Sequence, residues 1–197
     1  RSTALYRGVA IDKWLVVVPP KSRYDADNFL TILTQVSKPL GVTYSSPEVY
    51  EARDSYDDYK DILKRKVADD TQFVMVILPN DRKDLYDAVK QILCLQKPVP
   101  SQCVVHRTIS SSSKGIQSKA TKIAVQLASK VGAAPWTLHF QFPGPTMIVG
   151  MDVYHSGEIV SRKKQSVVGF SASMNSNITS YYSRVVIQDP GKEIVEA

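Results

Sequence analysis

The first 130 residues alternate between short, continuously apolar runs and longer stretches in which apolar residues recur every three or four positions. The short runs predict strands, buried on both faces where the run is fully apolar, at 14–19, 42–44, 73–79 and 102–106. The periodic stretches predict helices at 24–36, at 56–67, at 82–95 and from the serine-rich segment 110–114, rich in N-cap residues, to Gly132. Strands that alternate with helices predict a parallel sheet covered on both faces, so we expect an α/β, Rossmann-like sandwich.

The pattern changes after residue 135, where three runs of strand type follow one another at 147–155, 165–174 and 180–188. Such runs, separated only by turns, predict an antiparallel meander. The cluster Pro143-Gly144-Pro145 indicates a boundary, and we expect one domain at 1–140 and a second at 145–197. A three-stranded meander leaves an edge and a face uncovered, and the sequence ends in what looks like the start of a helix. We therefore expect a piece of a longer protein.

Composition narrows the function classes. Lys and Arg outnumber Asp and Glu by 25 to 19, giving a net charge of +6, which favours a polyanionic partner such as nucleic acid. No apolar run approaches the ~20 residues that span a bilayer, so we expect no membrane partner. The only cysteines, Cys94 and Cys103, are too few for a disulfide scaffold or a zinc site, which favours a cytoplasmic location. Phosphate-loop, dinucleotide-binding and serine-esterase motifs are absent from the sequence.

Two helices carry polar pairs at a spacing of four. Tyr86 and Lys90 share one side of the third helix near its N-terminus, where a cation and an aromatic ring can seat a terminal phosphate with a base stacked above it. Gln126 and Lys130 repeat the spacing on the last helix, and the amide of Gln102, at the start of a strand, can donate to a phosphate oxygen. Taken one at a time, each of these residues is also compatible with an ordinary surface position, which is the simpler interpretation for Tyr86, Lys90 and Gln102.

Asp152 interrupts an otherwise apolar strand, where a buried carboxylate needs a partner. A metal ion would supply one, although two-metal nucleases use several carboxylates and a hydrogen-bonded structural aspartate is the alternative. The basic run at 162–164 is either a solvated turn or a surface that steers nucleic acid.

Several blocks in order resemble one family: ILPNDRKDLYDAVK, PVPSQCVV, ATKIAVQLASKVGAAPW and MIVGMDVYH, followed by SVVGFSAS and SYYSRVV. Together they resemble the MID domain and the opening strands of the RNase H-like PIWI domain of Argonaute proteins, and within these the PIWI clade. The resemblance implies a pocket for the 5′-monophosphate of a small, piRNA-like guide RNA in RNA-guided silencing. In that pocket Tyr86 would stack on the first base, while Lys90, Gln102 and Lys130 would contact the phosphate. The loop that would select the first base consists of Asn80, Asp81, Arg82 and Lys83.

The resemblance also implies Mg²⁺. Gln126 stands where Ago-clade proteins have lysine, and its amide oxygen would help to hold the ion against the phosphate and the carboxylate at the C-terminus of the whole protein. Asp152 matches the first aspartate of the slicer tetrad, whose catalytic Mg²⁺ and target RNA belong to the whole protein. We expect the present chain to bind RNA ends without cutting RNA. The alternatives are a metal-dependent endoribonuclease and a Rossmann-like module that binds a nucleotide or a protein.

Overall fold

The computed structural model describes residues 4–53, 55–139, 141–155, 165–190 and 192. The basic run at 162–164 and the helix expected at 193–197 lie outside these residues. Contacts divide the chain into two compact units, Arg1–Trp136 and Thr137–Ala197. Within the described ranges, no helix combines the length and the apolar character needed to cross a membrane.

The first unit is built on parallel strands. These strands are β1 (Val9–Ile11), β2 (Trp14–Val18), β3 (Val42–Tyr44), β4 (Glu48–Glu51), β5 (Phe73–Leu78) and β6 (Ser101–Val105). The helices between and after them are α1 (Arg23–Ser37), α2 (Tyr56–Lys66), α3 (Lys83–Gln91), α4 (His106–Ile109) and α5 (Ile116–Lys130). The main sheet has the order β4-β2-β5-β6, and β1 pairs with β3 in a second, two-stranded sheet.

The two central strands explain why helices cover both faces of the main sheet. Every residue of β2 and β5 is buried, and successive side chains of a strand point to opposite faces. Val16 and Met75 pack into one core cluster, together with residues of α1 and α5, while Val17 and Val76 pack into another with residues of α2 and α3. The predicted α/β sandwich is therefore confirmed, with α1 and α5 on one face and α2 and α3 on the other.

The structure departs from the sequence expectations at several elements of this unit. The helix expected at 82–95 ends as an α-helix at Gln91 and continues as a wider, π-helical turn over Ile92–Gln96. Helix α5 begins at Ile116, and Gly115, with φ of 70°, occupies its N-cap without a side-chain cap, so the serines of the preceding loop do not cap it. Strands β1 and β4 were not expected from the sequence, because β1 is an apolar run of only three residues and β4 has a glutamate at each end.

The second unit contains an antiparallel meander of β7 (Val149–His155), β8 (Ser166–Ser173) and β9 (Tyr181–Gln188), in that order. The predicted meander is confirmed. Its strands differ in burial, because β7 is exposed at every position while β8 buries Val168 and Ala172.

Candidate functional site

The edge of the main sheet is formed by β6. The Val74 N–H donates to the Pro100 carbonyl at 3.0 Å, and this register pairs Val74 with Ser101. Backbone groups of alternate residues in a strand point to opposite sides, so the carbonyl groups of Ser101 and Cys103 face away from β5. They face the open edge of the sheet, where side chains from both helical layers can reach them.

Two lysines from opposite faces of the sheet meet at this edge. Lys90 on α3 donates from Nζ to Ser101 Oγ at 2.8 Å and to the Ser101 carbonyl at 3.3 Å. Lys130 on α5 donates from Nζ to the same carbonyl at 2.8 Å and to Gln102 Oε1 at 2.8 Å. The Gln102 amide nitrogen donates in turn to the Cys103 carbonyl at 3.1 Å. The structure thus brings Lys90, Gln102 and Lys130 together around Ser101, which is almost completely buried.

The two lysines bring two positive charges to this edge. In the described part of the chain neither Lys90 nor Lys130 pairs with a carboxylate, and their hydrogen-bond acceptors are neutral oxygens. Burial lowers the pKa of Lys130 below its usual value, and the nearby charge of Lys90 lowers it further. Each effect disfavours the protonated form of Lys130, and an anion placed between the two ammonium groups would relieve both.

Tyr86 extends this cluster toward a cavity. Its ring lies one helical turn before Lys90, with the Lys90 ammonium nitrogen 6.0 Å from the ring centroid, and the residue is 44% exposed. The ring lines a cavity of about 480 Å³ whose walls also include Gln102, Cys103 and Ile123. Gln102 therefore belongs both to the lysine cluster and to the cavity wall, and the cation pair lies next to a space with an aromatic wall.

The side chains of the loop before α3 fall into two groups. Some line the cavity, and others hydrogen-bond to neighbouring residues of the loop and of α3. Asn80 Oδ1 accepts from the Arg82 N–H at 3.1 Å. The Arg82 guanidinium donates to Asp84 at 2.5 Å and 3.1 Å, and these hydrogen bonds hold the pKa of Asp84 below its usual value. Asp81 and Lys83 line the cavity.

Asp81 is also joined to Arg107 by an ion pair of 3.1 Å. This ion pair joins the loop before α3 to α4, the segment that follows β6.

Within the described residues, Gln126 and Asp152, which were expected to hold Mg²⁺, do not lie in a group of His, Cys, Asp or Glu ligands. Gln126 is exposed one turn before Lys130 on α5. Among the described residues, no three His, Cys, Asp or Glu side chains are grouped so that they could hold a metal ion. The residues present therefore do not assemble either magnesium site, and both sites stay predictions.

Asp152 lies in the second unit, on the exposed strand β7. The expectation that this carboxylate is buried is wrong, and the argument that it needs a compensating partner does not apply. It pairs across the sheet with Gly169, and it lines a cavity of about 520 Å³ with Gly150, Ser171 and Ser183. The carboxylate thus stands on an open surface, and larger side chains, among them Phe170 and Arg184, line the same cavity.

Sequence reasoning missed two features of the first unit. Ser101 joins the two lysines, yet its role depends on which carbonyl faces the sheet edge, and composition does not reveal that. His106 Nε2 lies 2.8 Å from Asp25 Oδ2, and the Ser111 N–H donates to Asp25 Oδ1 at 2.9 Å. These contacts, the His106 contact first, lower the pKa of Asp25 and attach the serine-rich loop to α1.

Comparisons with known proteins agree with this architecture. The family model of the Piwi domain matches residues 73–197. Piwi-like protein 1 of Danio rerio is 36% identical over 197 residues, which are 100% of this chain and 22% of that protein. The present chain thus spans about a fifth of the length of that relative.

Two solved structures share the fold. The crystal structure of Drosophila Piwi aligns with a TM-score of 0.85 and 25% identity, over 95% of this chain and 26% of that one. The MID-PIWI domains of the N. crassa Argonaute QDE-2 align with a TM-score of 0.74 and 20% identity, over 94% of this chain and 54% of that one. The family match, the relative and the shared fold confirm the resemblance read from the sequence, and the chain belongs to the Piwi family, in the PIWI clade of the Argonaute proteins.

Proposed function

We propose that this chain binds the 5′-monophosphate end of a small, piRNA-like guide RNA. The observation that carries the proposal is the meeting of two ammonium groups, from α3 and α5, at one carbonyl of the sheet edge beside a cavity with an aromatic wall. Membership of the Piwi family supports an RNA ligand, and the net charge of +6 suits a polyanion.

The chemistry of the cluster favours a terminal phosphate over other anions. A phosphate monoester carries nearly two negative charges at pH 7 and three acceptor oxygens, whereas a carboxylate or an internal phosphodiester carries one charge. Lys90 and Lys130 supply two cations that lack carboxylate partners in the described residues, and the Gln102 amide adds a polar group between them and the cavity. A dianionic end therefore matches the site best.

Tyr86 gives the first nucleotide its second contact. A base in the cavity can stack on the ring while its phosphate reaches Lys90, because ring and ammonium group are neighbours on one helix face. Asp81 and Lys83 line the same cavity, and these two side chains are the members of the loop that would contact the edge of the first base.

Competition between two RNAs tests the proposal. We expect an RNA with a 5′-phosphate to bind more tightly than the same RNA with a 5′-hydroxyl. Lys90→Ala and Lys130→Ala should each reduce that ratio about 10- to 100-fold, as is typical of a lost charge-assisted hydrogen bond. Lys122→Ala is the matched control, because Lys122 is an exposed lysine of α5 outside the cluster. This substitution should leave the binding ratio unchanged. Equal binding of the two RNAs by the unaltered chain would contradict the proposal.

Two further ligand experiments separate the alternatives. UMP should compete with the phosphorylated RNA if the pocket accepts a terminal nucleotide, and indifference to every phosphorylated ligand would favour a protein partner. Labelled RNA incubated with Mn²⁺ should stay intact, with no difference from an Asp152→Ala variant, because the described residues bring no second carboxylate ligand to Asp152. Slicing, target RNA and a cytoplasmic location remain predictions for the whole protein.

A further inference from the structure

We propose that Ser101 is a positioning residue of the phosphate site, which fixes Lys90 and Lys130 at a separation that one terminal phosphate can bridge. This inference rests on the proposed function and concerns a residue that touches the two lysines. Its carbonyl and hydroxyl oxygens act differently.

The Ser101 carbonyl fixes the spacing of the charges. Lys90 Nζ lies 3.3 Å and Lys130 Nζ 2.8 Å from this single oxygen, so the two nitrogens are closer together than the sum of these distances. Two like charges at such a separation repel each other, and flexible lysine side chains would otherwise move apart into solvent. The shared acceptor holds them together before any ligand binds, which reduces the ordering that binding must supply.

The Ser101 hydroxyl acts on Lys90 alone. It accepts from Lys90 Nζ at 2.8 Å, the shorter of the two contacts between these residues. Lys130 has its second acceptor in Gln102 Oε1 and does not depend on the hydroxyl. Removing the hydroxyl therefore leaves Lys130 with both of its acceptors and leaves Lys90 with only the longer contact, so Lys90 becomes the mobile partner of the pair.

Substitution at Ser101 tests the hydroxyl, because Ser101→Ala and Ser101→Thr both keep the carbonyl and only Ser101→Thr keeps a hydroxyl. Ser101→Ala should lower the binding ratio of 5′-phosphorylated to 5′-hydroxyl RNA about three- to tenfold, as expected for one hydrogen bond. Ser101→Thr should restore the ratio. Affinity for the 5′-hydroxyl RNA should stay unchanged, because that RNA does not use the cation pair.

A control and a double-mutant cycle distinguish positioning from a purely structural role. Ser37→Ala removes another fully buried serine hydroxyl, bonded to Tyr44 at 3.0 Å and remote from the sheet edge, and should not alter the ratio. In a Lys90→Ala background, Ser101→Ala should have no further effect, because the hydroxyl acts through Lys90.

The outcomes separate this inference from the proposed function. A wild-type chain that binds both RNAs equally would overturn the proposed function and, with it, the role of Ser101. A binding ratio that Ser101→Ala leaves unchanged would overturn only the positioning role of the Ser101 side chain. The positioning role would also be overturned if Ser101→Ala lowered the binding ratio equally in the wild-type and Lys90→Ala backgrounds, or if Ser101→Thr did not restore the binding ratio.

Discussion

Strands β5 and β7 show how differently the two units of this chain support their polar groups. Every residue of β5 is buried, with β2 and β6 on its two sides and helices on both faces, whereas every residue of β7 is exposed. The described part of the second unit contributes strands alone. Lys90 on α3 and Lys130 on α5 are held by acceptors on β6, while Asp152 stands on an open sheet surface. The polar cluster in the first unit is thus preorganised by a packed core, and the described part of the second unit gives its carboxylate no comparable support.

Matched methionine substitutions should give the largest difference between the two units. Met75→Ala in β5 removes a fully buried side chain and should lower the free energy of unfolding by about 2–5 kcal/mol. Met151→Ala in β7 removes a side chain that is 61% exposed, and we expect a change within about 0.5 kcal/mol. Urea unfolding followed by far-ultraviolet circular dichroism measures both values. Equal losses would show that β7 is packed as tightly as β5.

Matched tyrosine substitutions should sharpen the comparison at the level of binding. Tyr86→Ala should weaken the binding of 5′-phosphorylated RNA by about 1–3 kcal/mol, the usual range for losing one base-stacking contact. Tyr154→Ala in β7 removes a ring that is more exposed, at 66%, and lies outside the lysine cluster, so affinity for the RNA end should stay the same. Fluorescence anisotropy with a labelled 5′-phosphorylated RNA gives both affinities. A larger loss at Tyr154 would place the RNA end on the second unit.

The smallest expected effect is a pH dependence of the preference for a 5′-phosphate, which we assign to the first unit alone. The preference for a 5′-phosphate should increase from pH 5 to pH 7, because the second ionisation of the phosphate has a pKa near ~6. It should decrease again at alkaline pH, earlier than for an ordinary lysine, because burial and Lys90 lower the pKa of Lys130. Lys130→Arg keeps its charge at high pH and should shift the alkaline decrease upward.

The same lowered pKa affects folding in a defined direction. A lysine whose pKa is lower in the folded chain disfavours folding while it is protonated, so the free energy of unfolding should increase as pH rises through the pKa of Lys130. Thermal unfolding of the wild type and of Lys130→Arg across alkaline pH measures this term. The sign would be contradicted if the wild type lost stability relative to the arginine variant over that range.

The sequence predicted the elements whose hydrophobic pattern is decided by burial. Strands β2 and β5 are continuous apolar runs because both of their faces are covered. Strand β4 escaped prediction because glutamates occupy both of its ends, and only its pairing with β2 defines it as a strand. The π-helical turn after α3 was not predicted, because the apolar spacing continues through this turn without interruption.

Helical spacing predicted only part of the candidate site, namely which residues share one face of a helix. The spacing of four placed Tyr86 and Lys90 on one face of α3, and the resemblance grouped them with Gln102 and Lys130. The contribution of Ser101 depends on the register between β5 and β6, which decides which carbonyl faces outward. For Asp152 the sequence indicated burial because its strand is apolar, and the exposure of β7 is a property of the three-dimensional arrangement.

The two cations come from helices on opposite sides of one sheet, and this arrangement has a mechanical consequence. The distance between the two ammonium groups depends on the thickness of three stacked layers. A core substitution that enlarges or shortens a side chain beneath either helix would therefore change that distance without contacting RNA. Substitutions at residues such as Leu127, a fully buried residue of α5, should therefore alter the capture of guide ends from a distance.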